Sequence, residues 1–403
     1  MNSTPPMPVS LLIVDDDPVF SRYARQLISS LGGDFPCIIQ SVDTADKAEA
    51  EVSNHLYDLV LLDYNLPDRN GLQVLEEIRK ISPPRQPGVV MLTASGNESI
   101  AVEAMKRGAR DYLTKANLDQ PQILRALQSA LSQKRLSEQL CACSLQMDAD
   151  LKMARNLQLS LLPDGYPSFS ANGESARSQL QFSHRFFPAS QLAGDFFSVS
   201  PLPGKRAGIF ICDVMGHGVR SALVTAMLRA LVDDLAPHTE DPGKFLSELN
   251  DRLRIVFKQA GETLYATAFY LIVEPAAAQI YYANAGHPRP IHLAPQAGLA
   301  SSLALPPHCG PALGLFDRAR YLSIQAPLEV GDILLFFTDG LVEVTDASGE
   351  KDFNPELLLE AARHRLQLPL ESLLDELVGE VRAFSGGAEF ADDVCLLGLK
   401  FTP

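Results

Sequence analysis

Five short apolar runs, at 9–14, 38–39, 59–62, 89–92 and 112–113, alternate with amphipathic segments at 19–31, 45–56, 72–81 and 98–107. This alternation constrains the fold more than any other feature of the chain. Runs that are apolar at nearly every position predict strands buried on both faces, and helices between them predict that the strands lie parallel. Residues 8–120 are therefore read as a doubly wound α/β domain around a parallel five-stranded sheet.

Four of the runs end in a polar residue. Asp15 and Asp16 follow the first, Asp63 the third, Thr93 the fourth and Lys115 the fifth. In an open parallel sheet, ligands bind beyond the carboxyl ends of the strands. Carboxylates, a hydroxyl and an ammonium are thus gathered around one spot, a set chemically complete for accepting a phosphoryl group on a carboxylate. Asp63 is placed as the nucleophile. Asp16, helped by Asp15, is placed to hold a Mg²⁺ ion that neutralises the transferring group. Lys115 and Thr93 are placed to bind the phosphoryl oxygens. Singly, each is an ordinary strand-end polar group; four suitable types at four strand ends point to a site.

The motifs around these positions are Ile13-Val14-Asp15-Asp16-Asp17-Pro18, Leu62-Asp63-Tyr64-Asn65-Leu66-Pro67 with Gly71 following, Met91-Leu92-Thr93-Ala94 and Asp111-Tyr112-Leu113-Thr114-Lys115. With them, residues 9–130 resemble the CheY-like receiver family of response regulators. The resemblance implies phosphotransfer to Asp63 from a cognate histidine kinase or phosphotransfer protein. It also implies Mg²⁺ held by Asp16, Asp63 and the Asn65 carbonyl, and a switch pair of Thr93 and Tyr112. One position departs from the family, which has a cis proline after the lysine where this chain has Ala116. A cis bond before a non-proline residue costs about 2.5–4 kcal/mol, so the loop after Lys115 is expected to be built differently.

From 118 to 162 no strand signal appears, and apolar residues recur at helical spacing, with a change of phase between Leu131 and Leu136. One long helix, ended by Pro163, is predicted, and 121–163 is read as a helical linker. It either pairs with a second copy as a homodimeric coiled coil or docks on its own domains. Residues 164–181 read as a polar loop. Strand-like runs return at 208–212, 266–273, 280–283, 333–337 and 394–399, with helices at 221–234, 242–258, 355–364 and 370–384. Clustered strands with segregated helices predict an α+β domain over 164–403.

Aspartates again stand beside the strands: Asp195, Asp213, Asp339, and the pair Asp392 and Asp393. Carboxylates next to apolar strands are costly to bury unless paired or bound to a cation. Among nearby basic residues, Arg220 is the nearest to Asp213, and none adjoins Asp195 or Asp339. Hard divalent ions, Mg²⁺ or Mn²⁺, are the natural compensation. Two such ions about 3.5–4 Å apart activate water and stabilise a phosphoryl group under attack. An isolated Asp-Gly is more often a turn; the recurrence at four sites favours metal.

The pieces Gly194-Asp195-Phe196, Asp213-Val214-Met215-Gly216-His217-Gly218, Ala283-Asn284-Ala285-Gly286-His287-Pro288, Gly310-Pro311-Ala312-Leu313-Gly314-Leu315, Thr338-Asp339-Gly340 and Asp392-Asp393 occur in that order. Residues 154–400 thereby resemble the SpoIIE/RsbU branch of the metal-dependent type-2C protein Ser/Thr phosphatases. The resemblance implies a β-sandwich flanked by helices. It also implies two Mn²⁺ or Mg²⁺ ions held by Asp195, Asp213, the Val214 carbonyl, Asp339 and Asp392, with Asp393 beside them. Asp213 and Asp339 would be central to catalysis, while His217 and His287 are read as organising Gly-rich turns. Residues 154–163 match the helix that in this branch switches the phosphatase. The implied substrate is a phosphorylated anti-sigma-factor antagonist. The family's two glycines before Asp195 are here Ala193 and Gly194.

A net charge of −15 without a basic cluster argues against nucleic acid as a partner. No apolar run approaches the ~18 residues of a membrane span, and the first eight residues lack a secretory pattern. Six scattered cysteines without C-x-x-C spacing suit a reducing cytoplasm. The competing expectation is a non-catalytic adaptor that binds a sigma factor or its regulator according to phosphorylation. Retention of all the acidic ligands separates the enzyme from the adaptor.

Overall fold

The computed structural model describes residues 8–402 apart from 83–84, 95–97, 164, 170–177, 217, 261–263, 308 and 347. Residues 1–149 and 150–403 form two compact units. Among the described residues no helix is long and apolar enough to cross a membrane.

In the first unit, β1 (Val9–Val14), β2 (Cys37–Val42), β3 (Leu59–Asp63), β4 (Gly88–Thr93) and β5 (Asp111–Thr114) form one parallel sheet in the order β2-β1-β3-β4-β5. The helices are α1 (Pro18–Ser29), α2 (Ala45–Asn54), α3 (Gly71–Arg79), α4 (Glu98–Lys106) and α5 (Gln120–Leu159). Asp17, Thr44 and Asn70 cap the first three, each accepting a hydrogen bond from a first-turn N–H. Because side chains alternate along a strand, Leu11, Ile13, Leu59, Leu61, Val90 and Leu92 pack under α1 and α5. Leu12, Val14, Val60, Leu62 and Met91 pack under α2, α3 and α4. The apolar runs carry no alternation because both faces of the sheet are covered.

The phase change in the long helix has a physical cause. Ile123, Ala126, Leu127, Ala130 and Leu131 are buried on the sheet, whereas Leu136 and Leu140 are 58% and 64% exposed. The helix leaves the core of the first unit at that point. Lys134 marks the exit, with Nζ 2.5 Å from Glu138 and 3.4 Å from Asp58.

The second unit has four layers. One antiparallel sheet, in the order β13-β10-β9-β8-β7, contains β7 (Asp195–Leu202), β8 (Arg206–Val214), β9 (Ala266–Glu274), β10 (Gln279–Ala285) and β13 (Ile324–Pro327). The other, in the order β12-β11-β14-β17-β6, contains β6 (Leu180–Phe187), β11 (Ile291–Ala294), β12 (Leu299–Ser302), β14 (Ile333–Phe337) and β17 (Val394–Phe401). A short hairpin joins β15 (Val344–Thr345) to β16 (Asp352–Phe353). Phe197, Ile209, Ile211, Phe269 and Leu271 meet Leu334, Phe336, Leu397 and Leu399 between the sheets. α6 (Val219–Leu235) and α7 (Pro242–Ala260) cover the outer face of the first sheet, and α8 (Pro355–Arg363) and α9 (Leu370–Phe384) cover the second. This is a β-sandwich flanked by helices.

Two details of the sequence reading need correction. The loop read over 164–181 ends earlier, since β6 begins at Leu180, and it pairs with β17 along its whole length. β6, β7, β11, β12 and β13 were not visible as apolar runs. Polar residues interrupt β6 at Gln181, Ser183, His184 and Arg185, as expected for a strand at a sheet edge.

Candidate functional site

At the carboxyl edge of the first sheet, Asp15, Asp63 and Thr93 are buried. Lys115 Nζ lies 2.7 Å from Asp15 Oδ2 and 2.8 Å from Asp63 Oδ2. Asp15, Asp16 and Asp63 each present one oxygen within 4.8 Å of the others. Burial pushes the carboxyls of Asp15 and Asp63 upward against the hydrogen bond from Lys115. Burial alone would lower the Lys115 ammonium; hydrogen bonds to Asp15 and Asp63 outweigh it and hold it above its usual value. Three carboxylates against one ammonium leave the spot short of positive charge, which suits a hard divalent ion. Lys115 opens a 3₁₀ turn, Lys115–Asn117, that includes Ala116, and the lysine still reaches both carboxylates. Tyr112 is 44% exposed, whereas Thr93 is buried.

In the second unit each sheet contributes two of the expected carboxylates. Asp195 and Asp213 face each other in the register of β7 and β8. Asp339 follows β14 and Asp392 precedes β17, and these strands are neighbours in the other sheet. Thr338 joins the two halves: its Oγ1 donates to Asp195 Oδ2 at 2.5 Å and accepts from Cys395 N at 2.9 Å. Asp393 accepts from Ala189 N at 2.8 Å and from Gly194 N at 2.6 Å. Its carboxylate therefore holds the chain entering β7. Gly194 has no room for a side chain, since a Cβ would lie 2.7 Å from the Val214 carbonyl oxygen, the oxygen expected to be a metal ligand.

The electrostatics of this group are one-sided. Burial, then Asp339, Asp392, Asp393 and Glu343, push Asp213 up to about 7. Burial and then Asp213 raise Asp195 far above the usual carboxylate range, and burial and then Asp392 raise Asp339. Such crowding is what a missing countercharge produces, so the donor set fits hard divalent cations. Among the described residues, Asp15, Asp16 and Asp63 are the one set whose oxygens lie within 4.8 Å of one another.

Three participants were not singled out from sequence. Glu343 follows Asp339 by four residues; burial, then Asp339 and Asp392, raise its carboxyl, so it belongs to the same field. Thr338 is the inter-sheet bridge. Gln158, in the last turn of α5, grips Ala193 at both ends: Nε2 donates to Ala193 O at 2.6 Å, and Oε1 accepts from Ala193 N at 2.9 Å. Nε2 also lies 3.2 Å from Thr225 Oγ1 on α6. Ala193 immediately precedes Gly194 and Asp195, so the end of α5 is hydrogen-bonded to the backbone that opens the carboxylate group. Gln158→Ala leaves a buried N–H and C=O of Ala193 without partners, a cost of about 1–3 kcal/mol. We expect it to weaken Mn²⁺ binding about tenfold in a calorimetric titration; an unchanged affinity would refute the link.

His217 lies outside the described residues. His287 is buried, and burial holds its imidazole down at about 3, which favours the neutral ring. Asn284 grips the His287 backbone at both N and O, at 2.8 Å each, and Thr267 Oγ1 lies 2.9 Å from His287 Nδ1. A cleft of ≈ 760 Å³ opens beside Asp339, lined also by Thr267, His287, Arg289, Glu343 and Asp352.

Comparison with known proteins agrees with both halves. Residues 11–134 match the response regulator receiver domain, and residues 203–402 match the family stage II sporulation protein E (SpoIIE). The phosphoserine phosphatase RsbP of Bacillus subtilis is 26% identical over 249 residues, 62% of this chain and 57% of that protein. The phosphoserine phosphatase RsbU of the same organism is 26% identical over 204 residues, 51% of this chain and 56% of that protein. The chain thus spans little more than half the length of these curated relatives. The SiaA-PP2C domain of Pseudomonas aeruginosa superposes with a TM-score of 0.54 at 22% identity, over 64% of this chain and 99% of that one, a likeness of fold.

Proposed function

We propose that this chain, in which a response regulator receiver domain is followed by a SpoIIE-type phosphatase domain, is a signalling enzyme that removes phosphate from a phosphoserine or phosphothreonine protein. The observation that carries the reading is the convergence of Asp195, Asp213, Asp339 and Asp392 from two facing sheets, with other carboxylates as the main charges acting on Asp213. We assign the ligands of two Mn²⁺ or Mg²⁺ ions to Asp195, Asp213, the Val214 carbonyl, Asp339 and Asp392, and place Asp393 as their backbone support. When bound, the ions would supply an activated water and neutralise the phosphoryl charge. The chain's own residues orient that chemistry. Thr338 fixes Asp195, Asp393 fixes the loop before it, and Gln158 fixes the same loop from the helix side.

The substrate we favour is the phosphorylated anti-sigma-factor antagonist implied by the resemblance, in keeping with the phosphoserine phosphatase relatives. In the first unit, Asp63 accepts the phosphoryl group from a histidine kinase or phosphotransfer protein. Asp16, Asp63 and the Asn65 carbonyl would hold Mg²⁺ there, with Asp15 in support, and Lys115 and Thr93 would take the phosphoryl oxygens. The exposed apolar residues of α5 are the place where a second copy would pair. A cytoplasmic setting follows from this role.

The test is Mn²⁺-dependent release of phosphate from a phosphoserine protein of that class, with and without beryllofluoride. We expect activity that Asp339→Asn removes, and a beryllofluoride response that Asp63→Asn removes. Full metal binding without hydrolysis of any phosphoprotein would refute the enzymatic reading.

A further inference from the structure

The cleft beside Asp339 contains a cation that nothing in the carboxylate group uses. Its charged lining residues are Asp339, Glu343, Asp352 and Arg289. His287 also lines it but is neutral, so Arg289 is the one cationic side chain among the described lining residues at neutral pH. Arg289 is exposed. Among the described residues it makes no ion pair, although Glu343 and Asp352 line the same cleft.

The backbone that presents Arg289 is held firmly. Asn284, at the end of β10, clamps the peptide groups of His287, and the His287 ring meets Thr267. Thr267 in turn faces Asp213 in the register of β8 and β9. Pro288 then fixes the direction of the chain. A continuous set of contacts therefore connects the expected metal carboxylate Asp213 to the turn carrying Arg289. The braced backbone fixes the point from which the guanidinium reaches into the cleft, and with no internal ion pair to break it is free to receive an anion, at the rotamer cost of ordering one side chain.

We propose that Arg289 is a substrate-binding residue, which receives an anionic group of the phosphoprotein in the cleft beside Asp339. The group is either the phosphoryl oxygens or a carboxylate flanking the phosphorylated residue; a guanidinium pairs with both in the same forked geometry. An acidic cleft repels an acidic substrate, and one unpaired arginine within it gives that substrate a single point of attachment and hence an orientation. This inference rests on the phosphatase reading above.

The experiment uses the full chain with Mn²⁺ and three substrates: p-nitrophenyl phosphate, a phosphoserine peptide with acidic flanks, and the same peptide with alanine flanks. Arg289→Ala is expected to lower kcat/KM about 10–100-fold through KM, with Arg289→Lys restoring part of the loss. A loss on all three substrates assigns the phosphoryl group; a loss confined to the acid-flanked peptide assigns the flank. Unchanged constants on all three, with wild type active, would overturn the proposal while leaving the phosphatase reading intact. Binding of a non-hydrolysable phosphonate analogue of the acid-flanked peptide is measured on the same variants by calorimetry. If none of the three substrates is turned over, the phosphoprotein assay above decides the enzymatic reading, and equal analogue affinity of wild type and Arg289→Ala overturns the proposal separately. An unchanged thermal midpoint for the exposed variant excludes loss of fold as the cause.

Discussion

Asp213→Asn is expected to lower Mn²⁺-dependent hydrolysis roughly a thousandfold and, in the same protein stripped of metal, to raise stability at neutral pH. The two effects have one origin. Asp213 lies with Asp339, Asp392, Asp393 and Glu343 in a field of like charge, and burial together with those neighbours carries it to about 7. In the unfolded chain it would return to about 3.8. A carboxyl whose folded pKa is raised gives its full stabilising contribution below the unfolded value. That contribution is lost as pH climbs through about 7. The metal-free second unit should therefore weaken steadily between about pH 4 and pH 7, by at most about 4 kcal/mol from this residue. Asparagine has no proton to lose and removes the penalty along with the ligand. Urea unfolding in chelator at pH 5 and pH 7.5 tests the sign. The wild type should lose stability between the two and recover it with Mn²⁺, whereas Asp213→Asn should lose less, because the raised Asp195 and Asp339 still titrate, and should ignore Mn²⁺. A variant less stable than wild type at pH 7.5 without metal would mean that Asp213 is satisfied by the protein itself.

The same carboxylates mark how far the sequence could be read. Asp213, Asp339 and Asp392 were legible because each adjoins an apolar strand, and a charge in such a place needs an explanation within a few residues; Asp195 was legible through the motif Gly194-Asp195-Phe196, since β7 itself makes no apolar run. The first sheet was legible for a related reason: β3 and β4 are buried at every position, so their apolar runs are continuous. Thr338, Gln158 and Arg289 left no such local signal. Thr338 reaches Asp195 across 143 positions and Asp393 reaches Gly194 across 199; such pairs exist only once the two sheets face each other. Gln158 read as a polar residue on a helix, and its role came from the peptide group of Ala193 beneath it. β11 and β12 escaped for want of length, at four residues each.

A pair of glycines should respond to alanine in opposite directions, and the contrast tests the packing of the carboxylate group more sharply than deletion of a ligand. A Cβ on Gly340 would lie 2.1 Å from the Asp393 carbonyl oxygen and 3.2 Å from the Asp392 carbonyl carbon. Both obstacles are main chain, so neither can turn aside as a side chain would. To admit one methyl group, the turn after β14 must part from the segment entering β17, and Asp339 must move away from Asp392. Gly340→Ala is therefore expected to cost about 3 kcal/mol or more and to abolish high-affinity Mn²⁺ binding, although every ligand is retained. Gly379, within α9, has nothing within 4 Å of its Cβ position and a helical backbone that alanine prefers. Gly379→Ala should gain about 0.5–1 kcal/mol and leave Mn²⁺ affinity untouched. Urea midpoints and calorimetric Mn²⁺ titrations of the two variants decide the matter. Wild-type metal affinity in Gly340→Ala would show that the Asp339 turn yields without disturbing Asp392. The close contact of the two segments would then be incidental to the site and not what holds its carboxylates in place.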